Sequence, residues 1–282
     1  MEGMHHPGDT DGPPGALSGA VPVALALLVL LALATGYLLA VRRTRRRNPA
    51  RGWSPWRSAS FLAGLALLAV ALLPPLGPAA HHDFSGHMAQ HMLVGMYAPA
   101  ALVLAAPVTL LLRTVPPAAG RRVTAVLHTW PAKVVTHPAV ALLLSTGTLA
   151  FLYFTPLYGA AMAHPAGHWL MLTHFLASGY LFAHAVAGPD PAPSRPGVRT
   201  RLVYLGIAVA SHALISQALY GGFFVDVPAP VDQVRRGAEI MYYGGDIAEL
   251  LLAGALVATW RPERRTRPAA RAGHRERETA GA

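Results

Sequence analysis

The stretch Gly86-His87-Met88-Ala89-Gln90-His91-Met92 repeats a His-Met pair at i,i+4, just where a polar turn gives way to a long apolar run. At about 100° per residue, His87 and His91 fall about 40° apart on one helix face, and Met88 and Met92 form a parallel pair beside them. Imidazole and thioether donors without thiolate suit Cu(I) better than Mg²⁺ or Ca²⁺. One Met in such a run reads as core filler and one His as an interfacial residue; the doubled pair reads as a ligand set. Further along, His168, Met171 and His174 sweep about 120° of a helix and descend about 9 Å, with His164-Pro165 as the helix start. His174 taken alone reads equally as a histidine hydrogen-bonded to a neighbouring helix. His212, Met241, Asp246 and Glu249 lie inside other apolar runs, where carboxylates are costly and are expected in a functional or paired role facing the bundle interior. A structural pair with His212 is the plainer alternative.

The elements that must position these groups are membrane spans. The chain has 282 residues, 53% of them hydrophobic and only 13% charged. Its uncharged runs of about 20 residues are each long enough to cross about 30 Å of hydrocarbon. The expected fold class is all-α, a polytopic membrane bundle of seven transmembrane helices at about 16–41, 58–77, 86–112, 137–157, 165–187, 201–223 and 238–260. Residues 1–15 are expected as an extracellular tail, 16–262 as the transmembrane domain and 263–282 as a basic cytoplasmic tail. The start lacks a basic n-region and the first apolar run is too long for a signal h-region, so it is expected to remain as a span. There is no cysteine, which excludes disulfides and thiolate metal sites.

Alternating the connections puts almost every basic residue on one side, with Arg235 and Arg236 the exceptions. Basic residues collect on the cytoplasmic side, so the N-terminus is expected outside and the C-terminus inside. The pI near 10.6 then reflects juxtamembrane loops facing the lipid bilayer rather than a nucleic-acid surface. His5, His6, His81 and His82 fall outside, while His128, His137, His184 and His274 fall inside and read as ordinary. Trp53, Trp56 and Trp260 on one boundary, with Tyr158, Tyr220, Phe223 and Phe224 on the other, read as interfacial belts. No phosphate-binding glycine loop or nucleophile elbow occurs.

His87-Met88-Ala89-Gln90-His91-Met92-Leu93, followed by Ala98-Pro99 and Ala106-Pro107-Val108-Thr109-Leu110-Leu111-Leu112-Arg113, resembles the signature span of the CtaG-type (caa3) cytochrome c oxidase assembly factors. The resemblance continues through His137-Pro138, His174-Phe175-Leu176, Gly188-Pro189-Asp190-Pro191, His212-Ala213, Gly244-Gly245-Asp246, Glu249 and Trp260. It implies a multi-pass plasma-membrane protein, not an enzyme, that serves assembly of the respiratory haem-copper oxidase. Cytochrome c oxidase subunits are the implied partners and copper the metal handled. An unrelated single-span copper chaperone of the same name uses cysteine, which this chain lacks.

Residue chemistry and resemblance meet on one expectation, a Cu(I) site of low coordination number open to the outside. Its ligands are expected among His87, Met88, His91, Met92, His168, His164 and His174. His212, Met241, Asp246 and Glu249 would orient ligands or handle protons. His5, His6, His81 and His82 would raise the local copper concentration and be dispensable. Two other classes fit part of the pattern. A haem-binding electron carrier needs ligands on opposite sides of a porphyrin, whereas His87 and His91 share a face. A proton- or metal-coupled transporter would use Asp246, Glu249 and His212 as a relay. Leu250 to Thr259 is nearly dry, which favours an outward-facing site.

Overall fold

The computed structural model describes residues 15–50, 52–192 and 195–260, with side chains from residue 23 onward. His5, His6, His274 and the two expected tails lie outside the described residues. Uncharged runs of Leu, Ala and Val fold as helices because a backbone deprived of water must satisfy its polar groups within its own segment. In chain order these are α1 (Gly15–Arg47), α2 (Pro55–Leu72), α3 (Leu76–His82), α4 (Phe84–Met92), a π-helical turn (Leu93–Tyr97), α5 (Ala98–Leu104), α6 (Pro107–Thr114), α7 (Pro117–Leu127) and α8 (Trp130–Val135). There follow α9 (Pro138–Leu142), a second π-helical turn (Leu143–Gly147), α10 (Thr148–Tyr153), α11 (Leu157–Met162), α12 (Pro165–Ala187), α13 (Val198–Gly221) and α14 (Val231–Thr259). No strand occurs among the described residues.

Among the described residues five helices are long and apolar enough to cross a membrane: α1 from Val23, α2, α12, α13 and α14. The expected third span is not straight. Phe84–Leu104 and α6 pass the same test only as a pair bent by 41°. The break is at Ala106, which has a left-handed φ of 53° before Pro107 opens α6. The expected fourth span is a shorter apolar run, Pro138–Tyr153. The last span starts at Val231, so Asp246 lies about four turns in rather than the expected about three turns from the start.

The bend has a partner far along the chain. Buried Asp190 accepts hydrogen bonds from the Val108 amide (3.0 Å), the Thr109 amide (2.7 Å) and the Thr109 hydroxyl (2.5 Å). A carboxylate here satisfies amides that have no partner inside α6 and sits at the positive end of its dipole. Arg195 holds the same loop by donating to the Asp190 carbonyl at 2.7 Å. At this arginine-rich end Arg47 also donates to the Thr114 carbonyl at 3.0 Å. Trp53, expected in an aromatic belt, is instead buried: its indole donates to the Tyr37 hydroxyl (3.1 Å), with Arg57 and Arg113 over the ring at 4.9 and 5.5 Å. Trp56 and Trp260 are exposed.

Helix α4, its π turn and α5 form the axis of the bundle, packed on α2, α12 and α14. The contact with α12 is a backbone-to-backbone approach. A Cβ added at Gly179 would stand 1.9 Å from the Gly95 carbonyl oxygen, so only glycine lets α12 lie this close to the π turn. Gly179→Ala therefore forces the two segments apart and should lower the thermal unfolding temperature of the detergent-purified protein. Gly206→Ala, whose Cβ meets nothing within 4 Å, serves as the control and should not. Equal unfolding temperatures for the two variants would contradict the close approach.

Candidate metal-binding site

The turn before α4 sets the helix in place. The Asp83 carboxylate accepts from the Ser85 amide at 3.2 Å and from the Ser85 hydroxyl, and Gln233 Oε1 on α14 accepts from the Phe84 amide at 3.2 Å. Helix α4 thus enters the bundle capped from its own turn and tied to α14, with His87, Met88, His91 and Met92 all buried.

His87 Nε2 lies 3.2 Å from the Tyr153 hydroxyl, which also stands 4.0 Å from the Met88 sulfur. The imidazole rests against Tyr158 at 4.9 Å between centroids, so Tyr158 is a buried neighbour of the site and not a belt residue. His87 Nδ1 has no hydrogen-bond partner. One turn deeper, His91 packs edge-on to Phe175 at 4.4 Å, and neither of its ring nitrogens has a partner.

His91 borders a cavity of about 40 Å³ shared with Ser145, Ser178, His212 and Glu249. That volume admits one or a few water-sized groups. Across it His212 Nδ1 and Glu249 Oε1 are 2.7 Å apart, and Glu249 Oε2 is buried without a partner. This joins His212 to Glu249 as the pair that the sequence left open. Asp246 is half-buried and makes no side-chain hydrogen bond to any described residue. Met92 lies beside Gly244 of α14, and Met241 is fully buried.

The remaining candidates separate. His164 is exposed at the start of α12. His174 is held by the Thr148 hydroxyl (2.9 Å) and the Leu144 carbonyl (3.0 Å) at the second π turn, which is the structural reading. His168 is buried, with its ring 4.0 Å from that of His81 and its Nδ1 3.5 Å from the Met162 sulfur. His87 is within electrostatic reach of His168 and His81, and His91 of His87 and His212. The histidines therefore form a column, from His81 through His168, His87 and His91 to His212 and Glu249.

Among the described residues no three His, Asp or Glu side chains are grouped so as to hold a metal ion. A zinc-type site, with three such ligands, is not built; an ion in this column would need thioether sulfur among its donors. Sequence reasoning missed Tyr153, Met162, Ser145 and Ser178 and discounted His81. Met162 and His168 straddle the turn at Pro165, so no helical spacing links them.

An all-helical membrane bundle with a buried His-Met column near one end is the class that fold and site define. The family described as cytochrome c oxidase caa3 assembly factor (Caa3_CtaG) matches residues 35–263, and the chain belongs to it. Uncharacterized proteins of Mycobacterium bovis and Mycobacterium tuberculosis are each 32% identical to it over 253 residues, 83% of this chain. One of Mycobacterium leprae is 30% identical over 250 residues, 82% of this chain. The chain spans 38% of the length of each of these relatives. No solved structure matches.

The cap of α4 can be tested by pH. The Ser85 hydroxyl hydrogen bond, with smaller help from backbone amides, holds the Asp83 carboxyl below its ordinary value. A group depressed in the folded state stabilises above its unfolded pKa and loses that contribution as pH falls through its folded value. Asp83→Ala should cost about 1 kcal/mol at neutral pH. The difference from wild type should shrink as pH drops below about 4. A difference independent of pH would assign Asp83 a role other than an ionised cap.

Proposed function

We propose that this oxidase assembly factor binds Cu(I) at the outer face of the plasma membrane through His87, Met88, His91 and Met92 and passes it to a cytochrome c oxidase subunit. Copper is cargo in this reading. The observation that carries it is that three of the four ring nitrogens of His87 and His91 are buried without a partner. A buried polar group left unpaired costs roughly 1–3 kcal/mol, and two neutral imidazoles beside two thioethers form a donor set suited to Cu(I). The Glu249 carboxylate, one histidine further down the column, offsets part of the charge of a cation in this apolar interior. Few ligands also favour a site that must release its ion.

The orientation in this reading puts the N-terminus outside, with Pro138–Tyr153 as a short fourth crossing of seven. It rests on the arginines gathered around Trp53 and Thr114, the end that the positive-inside rule assigns to the cytoplasm. Two observations weigh against the rival classes. His87 and His91 lie one turn apart on α4, so they cannot ligate opposite sides of a porphyrin. Beyond Glu249, Leu252 and Leu256 pack with Val103, Phe182, Val186 and Leu205 in a dry core, which gives a conduit no polar continuation.

In cells, a His87→Ala, His91→Ala double variant should insert normally and yield oxidase subunits that are made but poor in copper when copper is limiting, with partial recovery on adding copper. Met88→Leu conserves volume and apolarity, so it separates packing from ligation. It should reduce oxidase copper if the sulfur is a ligand. Full oxidase activity in the double variant under limiting copper would overturn the proposal.

A further inference from the structure

We propose that His81, His168 and Met162 form a second soft-metal site at the mouth of the column, which takes a monovalent soft cation such as Cu(I) or Ag(I) before it reaches the inner donors. The cargo rests on the reading above, whereas the geometry stands by itself. Helix α3 and, far along the chain, the consecutive α11 and first turn of α12 bring the residues together. The His81 and His168 ring centroids are 4.0 Å apart and tilted by 40°, and His168 Nδ1 is 3.5 Å from the Met162 sulfur. Nitrogen and sulfur donors about 2.0 and 2.3 Å from one metal, at a near-tetrahedral angle, stand about 3.5 Å from each other. The observed separation fits a shared ion as it fits an N–H···S hydrogen bond.

The arrangement is built into the backbone. A Cβ at Gly167 would stand 2.3 Å from the Ala161 carbonyl oxygen, so α11 folds back over α12, with Met162 above His168, only because residue 167 is glycine. His168 is 2% exposed, whereas His81 is open to the surface. Both line a cavity of about 450 Å³ with His82 and Gln90, and Gln90 Oε1 is buried there without a partner. The nearby carboxylate of Asp83 is already engaged by Ser85. Two imidazoles and a thioether with no free carboxylate select against hard ions. An ion held here lies within electrostatic reach of His87, the next member of the column.

The site can be tested with Ag(I), a redox-inert stand-in for Cu(I), titrated into the detergent-purified full chain by calorimetry with metal analysis of the bound fraction. Met162→Leu preserves packing and His81→Ala alters a surface residue, so each should fold with an unchanged unfolding temperature. Each should lower the number of tightly held ions by one per chain, or weaken one of them more than tenfold. His87→Ala, His91→Ala should remove a different ion and leave the mouth ion bound. Unchanged binding in both Met162→Leu and His81→Ala would overturn the mouth site while leaving the inner one standing. Loss of an ion in those variants, but not in the His87→Ala, His91→Ala protein, supports the mouth site and overturns the inner reading. No tight Ag(I) binding by the wild-type protein overturns both.

Discussion

Within a bilayer no water is at hand for a polar group that folding leaves unpaired, so each must find a partner inside the protein. Most here do. Ser60 donates to the Ala101 carbonyl at 2.6 Å, Tyr97 to the Gly244 carbonyl at 2.8 Å, and the Gln90 amide to the Ala71 carbonyl at 2.9 Å. His174 bonds at the second π turn, and His212 faces Glu249. Among the described residues ten buried side-chain atoms lack a partner, and four of the ten, on His87, Gln90 and His91, lie on the helix that carries the paired methionines. The same constraint that shapes the bundle draws attention to this helix, where such atoms are most concentrated.

The rest of the fold serves this helix. Asp83 and Gln233 fix where it enters, and Gly179 lets α12 close on its π turn. Both π turns contribute to the small cavity beneath His91, through Gly95 and Met96 on one side and Ser145 on the other. Such turns interrupt regular helical bonding and recur at functional sites. At the far end Asp190 caps α6 and fixes the bend, so the loop after α12 sets the course of the chain after α5. Loop, bend and π turns act together to keep a polar column inside an apolar bundle.

Much of this was legible in the residues themselves. A His-Met pair repeated at i,i+4 needs only helix geometry to be read, and charge-free runs need only the thickness of a bilayer. The bend at Ala106 was not legible, because the carboxylate that caps α6 lies 82 positions beyond Val108 and joins it only in the folded chain. Likewise His81, Met162 and His168 come from separate segments that no periodicity connects. Trp53 and Tyr158 were placed in belts on composition, but hydrogen bonding and ring packing draw both inside. Local spacing, then, tells which residues share a helix face, and tertiary contact alone tells what other helices bring to them.

The central claim is that thioether sulfur and imidazole nitrogen of α4 hold copper together. X-ray absorption at the copper edge, on His81→Ala protein carrying one equivalent of Cu(I) retained through gel filtration, addresses it most directly. The account predicts a mixed nitrogen and sulfur coordination sphere that loses its sulfur component in a Met88→Leu, Met92→Leu background. A sphere identical with and without those methionines, or copper that does not remain bound, would contradict it.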